Sequence, residues 1–309
     1  MKQRSLGSLS VSEVGVGCNN FGSRLDEVGA LVVVNGALES GVNFFDTADI
    51  YGGTKSEVFL GEALGSRRAN VVIATKFGMP IDDTHFGAKP DYVRSACEDS
   101  LRRLNTDYID LYQLHYPDET TPIADTLGAL QELVAAGKVR EIGCSNFTAD
   151  QLREAKAAAG RGPSFVSVQN QYSLLERAPE RDGVLAACEE LGIGFLPFYP
   201  LANGLLTGKV RPGEPLPEGT RLANMPAERS AHWLSDEIYG RVGSLLSYAE
   251  DTRTPVLTYA FSWLLSHPAV ASVIAGASSA DQIRANVSSV KELTDSQFEE
   301  LNRLTAVAS

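Results

Sequence analysis

The chain has 309 residues, with 43% hydrophobic and 21% charged content and a net charge of −12 from 27 basic and 39 acidic side chains. That excess of carboxylates argues against nucleic acid or an anionic membrane surface as a partner, because a phosphate-rich surface demands a basic face. The N-terminus lacks an apolar stretch of leader length, residues 28–38 are too short an apolar run to span a bilayer, and Cys18, Cys97, Cys144 and Cys188 lie too far apart to cluster on a metal, so a cytoplasmic chain with free thiols is expected.

In chain order, residues 1–14 read as a short hairpin placed before the first strand of a barrel. A helical pattern over Asp26–Ser40 then leads to an apolar run at Val42–Phe45, and the alternation repeats. Helix Ser56–Leu64 precedes Val71–Thr75, helix Pro90–Leu104 precedes Tyr108–Leu114, and helix Pro122–Ala136 precedes Glu141–Cys144. Helix Ala149–Ala158 precedes Phe165–Val168, and helix Arg181–Leu191 precedes Ile193–Leu196. Gly41, Gly137 and Gly192 sit just past helix ends, where a left-handed residue stops the helix. Thr121-Pro122 and Thr254-Pro255 place a hydroxyl before a Pro at the first helical position. Residues 209–235 break the rhythm with Pro, Gly and charge, as a lid or ligand loop does. An extra helix, Asp236–Asp251, follows, then helix Pro255–Ser266, the run Val270–Ile274 and helix Ser279–Val287.

Alternating helices and fully apolar strands predict a parallel sheet buried on both faces. A doubly wound sheet is disfavoured because Gly15, Gly17 and Gly22 lack the spacing of a dinucleotide fingerprint. About 250 residues make one (β/α)8 TIM barrel, so 1–309 is expected to hold a single barrel domain with extra elements after its seventh strand. Such a barrel gathers its strand ends on one rim, and those ends carry Asp46, Lys76, His115 and Ser145-Asn146, with Tyr51 five residues beyond Asp46.

Singly, each has a plainer reading: Asp46 as a helix cap, Lys76 as a rim lysine reaching water, His115 as a core histidine, Tyr51 as a packed loop tyrosine. Together they form a proton-transfer set. A phenol is a poor acid at neutral pH, a neighbouring ammonium favours its anion, and a carboxylate holds that ammonium in place. His115 is then available to hydrogen-bond a substrate oxygen and help shuttle the proton.

The chain resembles the aldo-keto reductases nearly end to end, through GVNFFDTADIYGGTKSEVFLGEAL, VVIATKFG, RRLNTDYIDLYQLHYPD, LVAAGKVREIGCSNF, FVSVQNQYSLLER and PFYPLANGLLTGK. The resemblance implies a barrel oxidoreductase that reduces an aldehyde or ketone to an alcohol, reversibly, with NADP(H). Asp46, Tyr51, Lys76 and His115 fall at the family's catalytic tetrad, with Tyr51 as acid in reduction and base in oxidation. Ser145, Asn146 and Gln169 match the residues that hold the nicotinamide carboxamide, and Phe198 matches an aromatic, usually Tyr, that stacks on its ring. Leu201, Gly204, Leu206 and Lys209 lie where the family wraps the pyrophosphate. Gly276, Ser278, Gln282 and Asn286 surround the adenosine end. Tyr199 replaces a family Ser, and Ser279 stands where many relatives carry an Arg for the 2′-phosphate, which keeps NAD open as cofactor. The substrate is expected to be set by Asn19–Arg24, Ile81–Lys89, Tyr116 and the 209–235 segment, with Phe86, Tyr116 and Trp233 as packing aromatics.

Three alternatives stand beside this reading: an NAD-dependent sugar or alcohol dehydrogenase, a metal-dependent barrel hydrolase or isomerase, and a cofactor-holding regulatory subunit like the potassium-channel β subunits. The metal reading is weak because His85, His115, His232 and His267 do not pair at ligand spacing. A small carbonyl or alcohol is the expected partner, and the oligomeric state is not legible.

Overall fold

The computed structural model describes residues 1–306. Strands β1 (Gln3–Leu6) and β2 (Leu9–Ser12) form an antiparallel hairpin that reverses at Gly7, where φ is +59°. Eight parallel strands follow: β3 (Val14–Gly17), β4 (Phe44–Asp46), β5 (Val72–Phe77), β6 (Ile109–Leu114), β7 (Val139–Ser145), β8 (Ser167–Gln171), β9 (Gly194–Phe198) and β10 (Val273–Gly276). Their lateral order is β10-β3-β4-β5-β6-β7-β8-β9. A parallel bridge between Phe195 and Val270 closes the seam, with Phe195 N–H donating to Ala269 O at 2.7 Å and Ala271 N–H to Phe195 O at 3.0 Å. The architecture is the expected (β/α)8 barrel.

The interior explains two local sequences. Leu6, Leu9 and Val11 of the hairpin pack with Phe44, Val72, Ala74, Leu111 and Leu196, stopping the N-terminal mouth of the barrel. β3 is Val-Gly-Val-Gly because Phe44 fills the space beside it: a Cβ on Gly15 would lie 2.8 Å from the Phe44 ring. That glycine content is why β3 is not an apolar run in the sequence.

The helices stand largely where periodicity puts them, with three differences. Arg181–Leu191 is two pieces, Ala178–Arg181 and Val184–Leu191, broken at Gly183 with φ +74°. Helix Asp295–Leu304 was not anticipated; a capping box between Thr294 and Gln297 starts it. Neither Thr-Pro pair caps its helix through a hydroxyl. Pro122 and Pro255 are themselves the capping positions, while Thr121 Oγ1 donates to Asp118 Oδ2 and Thr254 Oγ1 to Thr252 O. The strands begin and end up to three residues from the apolar runs, because ladder pairing with the neighbour, not hydrophobicity, bounds them. Residues 209–235 form turns and one short helix, Ala227–Ser230, and Val210, Leu222 and Trp233 are buried and tie the segment to the core. No helix among the described residues is long and apolar enough to cross a membrane.

Candidate active site

A cavity of about 880 Å³ opens on the C-terminal rim of the barrel. With the other mouth stopped by the hairpin, this is where converging strand ends meet solvent. At its floor lies the ion pair Lys76 Nζ–Asp46 Oδ2, 2.7 Å long, with Lys76 wholly buried and Asp46 3% exposed. Adjacent strand ends supply both residues. Lys76 Nζ also donates to Thr47 O at 2.8 Å. Asp46 Oδ1 accepts from Gln169 Nε2 at 2.8 Å and Gln113 Nε2 at 3.4 Å. Burial opposes the ammonium, but Asp46 and then Tyr51 outweigh it, so the Lys76 pKa is raised and the cation persists. Lys76 therefore does not reach for water, and Asp46 caps no helix; the next helix begins after Thr54.

Tyr51 sits over this pair. Lys76 Nζ lies 5.2 Å from the Tyr51 ring centroid, and with two of its three protons held by Asp46 and Thr47 the third faces the phenol. Burial raises the phenol pKa more than the cation lowers it, so the net shift is upward. This corrects the expectation of an acidic phenol: Tyr51 keeps its proton at neutral pH, and Lys76 limits how far burial pushes it. His115 packs edge-on to Tyr51, with ring centroids 5.8 Å apart, and stacks on Tyr116 on its other side at 5.7 Å. Burial and the Lys76 charge drop its pKa to about 3, so it is a neutral imidazole. Its Nδ1 is buried without a partner among the described residues. The imidazole is thus a hydrogen-bonding group and no proton reservoir.

Ser145, Asn146, Gln169 and Phe198 line the wall beyond the tetrad. Ser145 Oγ donates to Gln169 O at 2.7 Å and Asn146 Nδ2 to His115 O at 3.0 Å, which locks three strand ends together. Asn146 adopts φ +62°, which turns its side chain back into the rim instead of capping the following helix, whose cap is Thr148. After β9, positive φ at Tyr199, Ala202, Asn203, Gly204 and Gly208 winds the backbone into a tight coil, in which Ala202 N–H donates to Tyr199 O and Gly204 N–H to Leu201 O. A Cβ at Gly204 would meet nothing within 4 Å. Lys209 lines the cavity beside this coil, and Gly276, Ser278, Gln282 and Asn286 line its far end, where Ser279 caps the helix Ala280–Ser288.

Of the sequence-derived residues, Leu206 is the exception. Its side chain is fully buried in the core and does not face the cavity. Phe86 lines a separate surface hollow with Lys89 and Asp118, and Trp233 is buried, so neither packs a ligand in the main cavity. Sequence reasoning passed over Asn203, Thr207, Ile50, Met79 and Arg221, all of which line it. Arg221 carries its guanidinium 5.0 Å from the Tyr199 ring centroid. Its only sequence signal was a basic residue within the Pro- and Gly-rich loop.

The donor set fits a dinucleotide: a tight coil, Lys209 and Arg221 against an acidic chain, and carboxamide-type partners beside an aromatic face. The sequence profile described as Aldo/keto reductase family matches residues 13–306. The chain is 36% identical over 305 residues to the uncharacterized oxidoreductase YrpG of Bacillus subtilis, covering 94% of this chain and 90% of that protein. It is 32% identical over 321 residues to a probable voltage-gated potassium channel subunit beta of Oryza sativa subsp. japonica, covering 99% and 96%. Among solved structures it resembles the holo form of the aldo-keto reductase AKR11C1 from Bacillus halodurans, with a TM-score of 0.79 and 35% identity over 100% of this chain and 98% of that one. A barrel with this rim, matched over nearly its whole length, makes the chain a member of the aldo/keto reductase family and an oxidoreductase enzyme.

Proposed function

We propose that the enzyme reduces an aldehyde or ketone to an alcohol with NADPH, reversibly, and that Tyr51 donates the proton. The observation that carries this reading is the wholly buried Lys76 ammonium, paired to Asp46 and set beneath the Tyr51 ring. The bound nicotinamide supplies or accepts the hydride. Ser145, Asn146 and Gln169 hold its carboxamide, Phe198 lies against its ring, the coil at Leu201–Gly204 with Lys209 and Arg221 takes the phosphates, and the segment from Gly276 to Asn286 takes the adenosine end.

The residues then divide the work. His115, neutral and lining the cavity, hydrogen-bonds the carbonyl oxygen and fixes its direction. Tyr51, held protonated by burial, delivers its proton to that oxygen as charge develops there. Lys76 stabilises the phenolate left behind, and Asp46 keeps Lys76 charged and in place. In alcohol oxidation the same phenolate is the base. Lys209 and Arg221, beside the phosphate coil, suit the pyrophosphate that NADP(H) and NAD(H) share, so NADP(H) rests on the family resemblance, with Ser279 standing where relatives carry Arg for the 2′-phosphate.

The test is Tyr51→Phe: turnover is lost while reduced cofactor still quenches protein fluorescence with the parent's affinity, and equal turnover in both would defeat the assignment. Full-length similarity to the rice channel subunit supports a second reading, a chain that holds cofactor without physiological turnover. Tight NADPH binding with no reduction across aliphatic, aromatic and sugar aldehydes would favour that one.

A further inference from the structure

The rim divides into two halves. Every residue assigned to cofactor stands at the ends of β7, β8, β9 and β10. The facing wall comes from the loops after β3, β4, β5 and β6, and it presents Arg24, Ile50, Tyr51, Met79, His115 and Tyr116 to the same cavity. By elimination the part of the substrate remote from its carbonyl lies along this wall.

Charge on that wall is unevenly used. Asp46 and Lys76 neutralise each other at the floor. His115 is uncharged at physiological pH. Among the described residues Arg24 is therefore the free cation of this wall, with Lys209 and Arg221 facing it from the cofactor side of the cavity. Elsewhere arginines such as Arg68, Arg94, Arg103 and Arg153 are matched to carboxylates. Among the described residues the Arg24 guanidinium has no carboxylate within 4.0 Å and no hydrogen-bond partner.

Its backbone is fixed, and its exposed side chain lies at the cavity mouth. Arg24 N–H donates to Asn20 O at 2.9 Å, and Phe21 bridges Leu25, so the loop closes on itself. Gly22 and Gly52 meet so closely that a Cβ on Gly52 would lie 2.3 Å from Phe21 O. The loop bearing Arg24 is thus packed directly on the turn bearing Tyr51. A planar guanidinium with a rigid fork of donors suits a carboxylate or phosphate oxygen pair. In a chain of net charge −12, a cation left unpaired in the reaction cavity attracts an anionic substrate against the field of the surrounding surface.

We infer that Arg24 is a specificity residue and that the enzyme prefers carbonyl compounds carrying an anionic group, a carboxylate or a phosphate, at the end remote from the carbonyl. This rests on the function proposed above. Asn20 Nδ2 also donates to Ala277 O at 3.4 Å, so the loop borders the adenosine end, and the test must separate substrate from cofactor.

The experiment uses the full chain with NADPH and two matched pairs: 4-oxobutanoate against butanal, and glyceraldehyde 3-phosphate against glyceraldehyde. The expected result is a kcat/KM for at least one anionic member on the order of tenfold above its neutral match. The pair that shows it identifies carboxylate or phosphate. In Arg24→Gln that preference collapses through KM, with butanal reduction and the NADPH dissociation constant unchanged. Arg24→Lys retains part of it. The inference is overturned if the parent reduces butanal without preferring either anion, or if Arg24→Gln weakens NADPH and leaves the preference intact. A parent that binds NADPH and reduces none of the four aldehydes overturns the proposed function, and this inference with it.

Discussion

Lys76→Met tests the central electrostatic claim. The substitution removes the cation and keeps much of the volume. With an effective dielectric constant of about 20, a unit charge at the 5.2 Å separating Lys76 Nζ from the Tyr51 ring stabilises a phenolate by about 3 kcal/mol, or about two pH units. Lys76 is fully buried, so solvent screening takes little from that figure. Alcohol oxidation needs the phenolate, so its rate rises with pH until Tyr51 ionises. Because burial raises the Tyr51 pKa, both enzymes stay on the rising limb from pH 6 to 10, and the variant's limb should lie about a hundredfold below the parent's throughout. The assay is the pH–rate profile of alcohol oxidation with NADP from pH 6 to 10. Asp46 loses its ion-pair partner and keeps Gln169 and Gln113, so the fold should also lose about 3–5 kcal/mol. That is readable as a drop of several degrees in Tm. A folded variant whose alkaline limb coincides with the parent's would refute the tuning role, whatever happened to stability.

Three further outcomes follow from particular residues. Tyr51→Phe should lower carbonyl reduction by about a thousandfold, as loss of a general acid does, with cofactor affinity within about twofold by fluorescence titration. Asp49 is buried with both carboxylate oxygens unpartnered, and burial followed by Glu57 raises its pKa to about 7. Its proton is therefore held more tightly in the folded chain than in the unfolded one, so this group removes stability as pH climbs from 4 to 7, on the order of 4 kcal/mol in all. Asp49→Asn should be more stable than the parent at pH 8 and indistinguishable at pH 4, and thermal melts that differ equally at both pH values would contradict that. Gly52 combines φ +60° with a Cβ position 2.3 Å from Phe21 O, so Gly52→Ala should cost about 2–3 kcal/mol in chemical denaturation. It should also lower activity by displacing Tyr51.

The barrel and its tetrad were legible because both depend on local signals read against one topological rule. Apolar runs ending in Asp46, Lys76 and His115 need only a shared rim to bring those side chains together, and parallel strands provide it. β3 escaped because Gly15 yields its space to Phe44, a partner distant in sequence. Helix Asp295–Leu304 escaped although its capping box was visible, because its apolar positions cover only a narrow stripe. Leu206 lies in the coil after β9 with its side chain turned into the core, because a motif match fixes a position in the chain, not the face to which a side chain turns. Arg24 and Arg221 fell within the segments expected to set the substrate, but no pattern singled them out there. An unpaired arginine acquires meaning only from the carboxylates that fail to surround it, and that is a property of three dimensions.

The direction of the Tyr51 shift changes how the catalytic set should be understood. If the ammonium dominated, the phenol would ionise near neutrality and the ligand-free enzyme would hold part of its acid already spent. Instead burial dominates and the proton stays. Lys76 acts where it matters energetically, on the phenolate that exists only once the proton has left. The same cation, with burial, drives His115 to the neutral form, so the proton has one source on this wall and the carbonyl oxygen two hydrogen-bonding neighbours of unequal acidity. Asp46 secures the arrangement by keeping the ammonium charged in a place that would otherwise strip it of its proton. Burial and pairing thus oppose each other at Tyr51 and Lys76 and reinforce each other at His115, which is how one buried ion pair sets three protonation states at once.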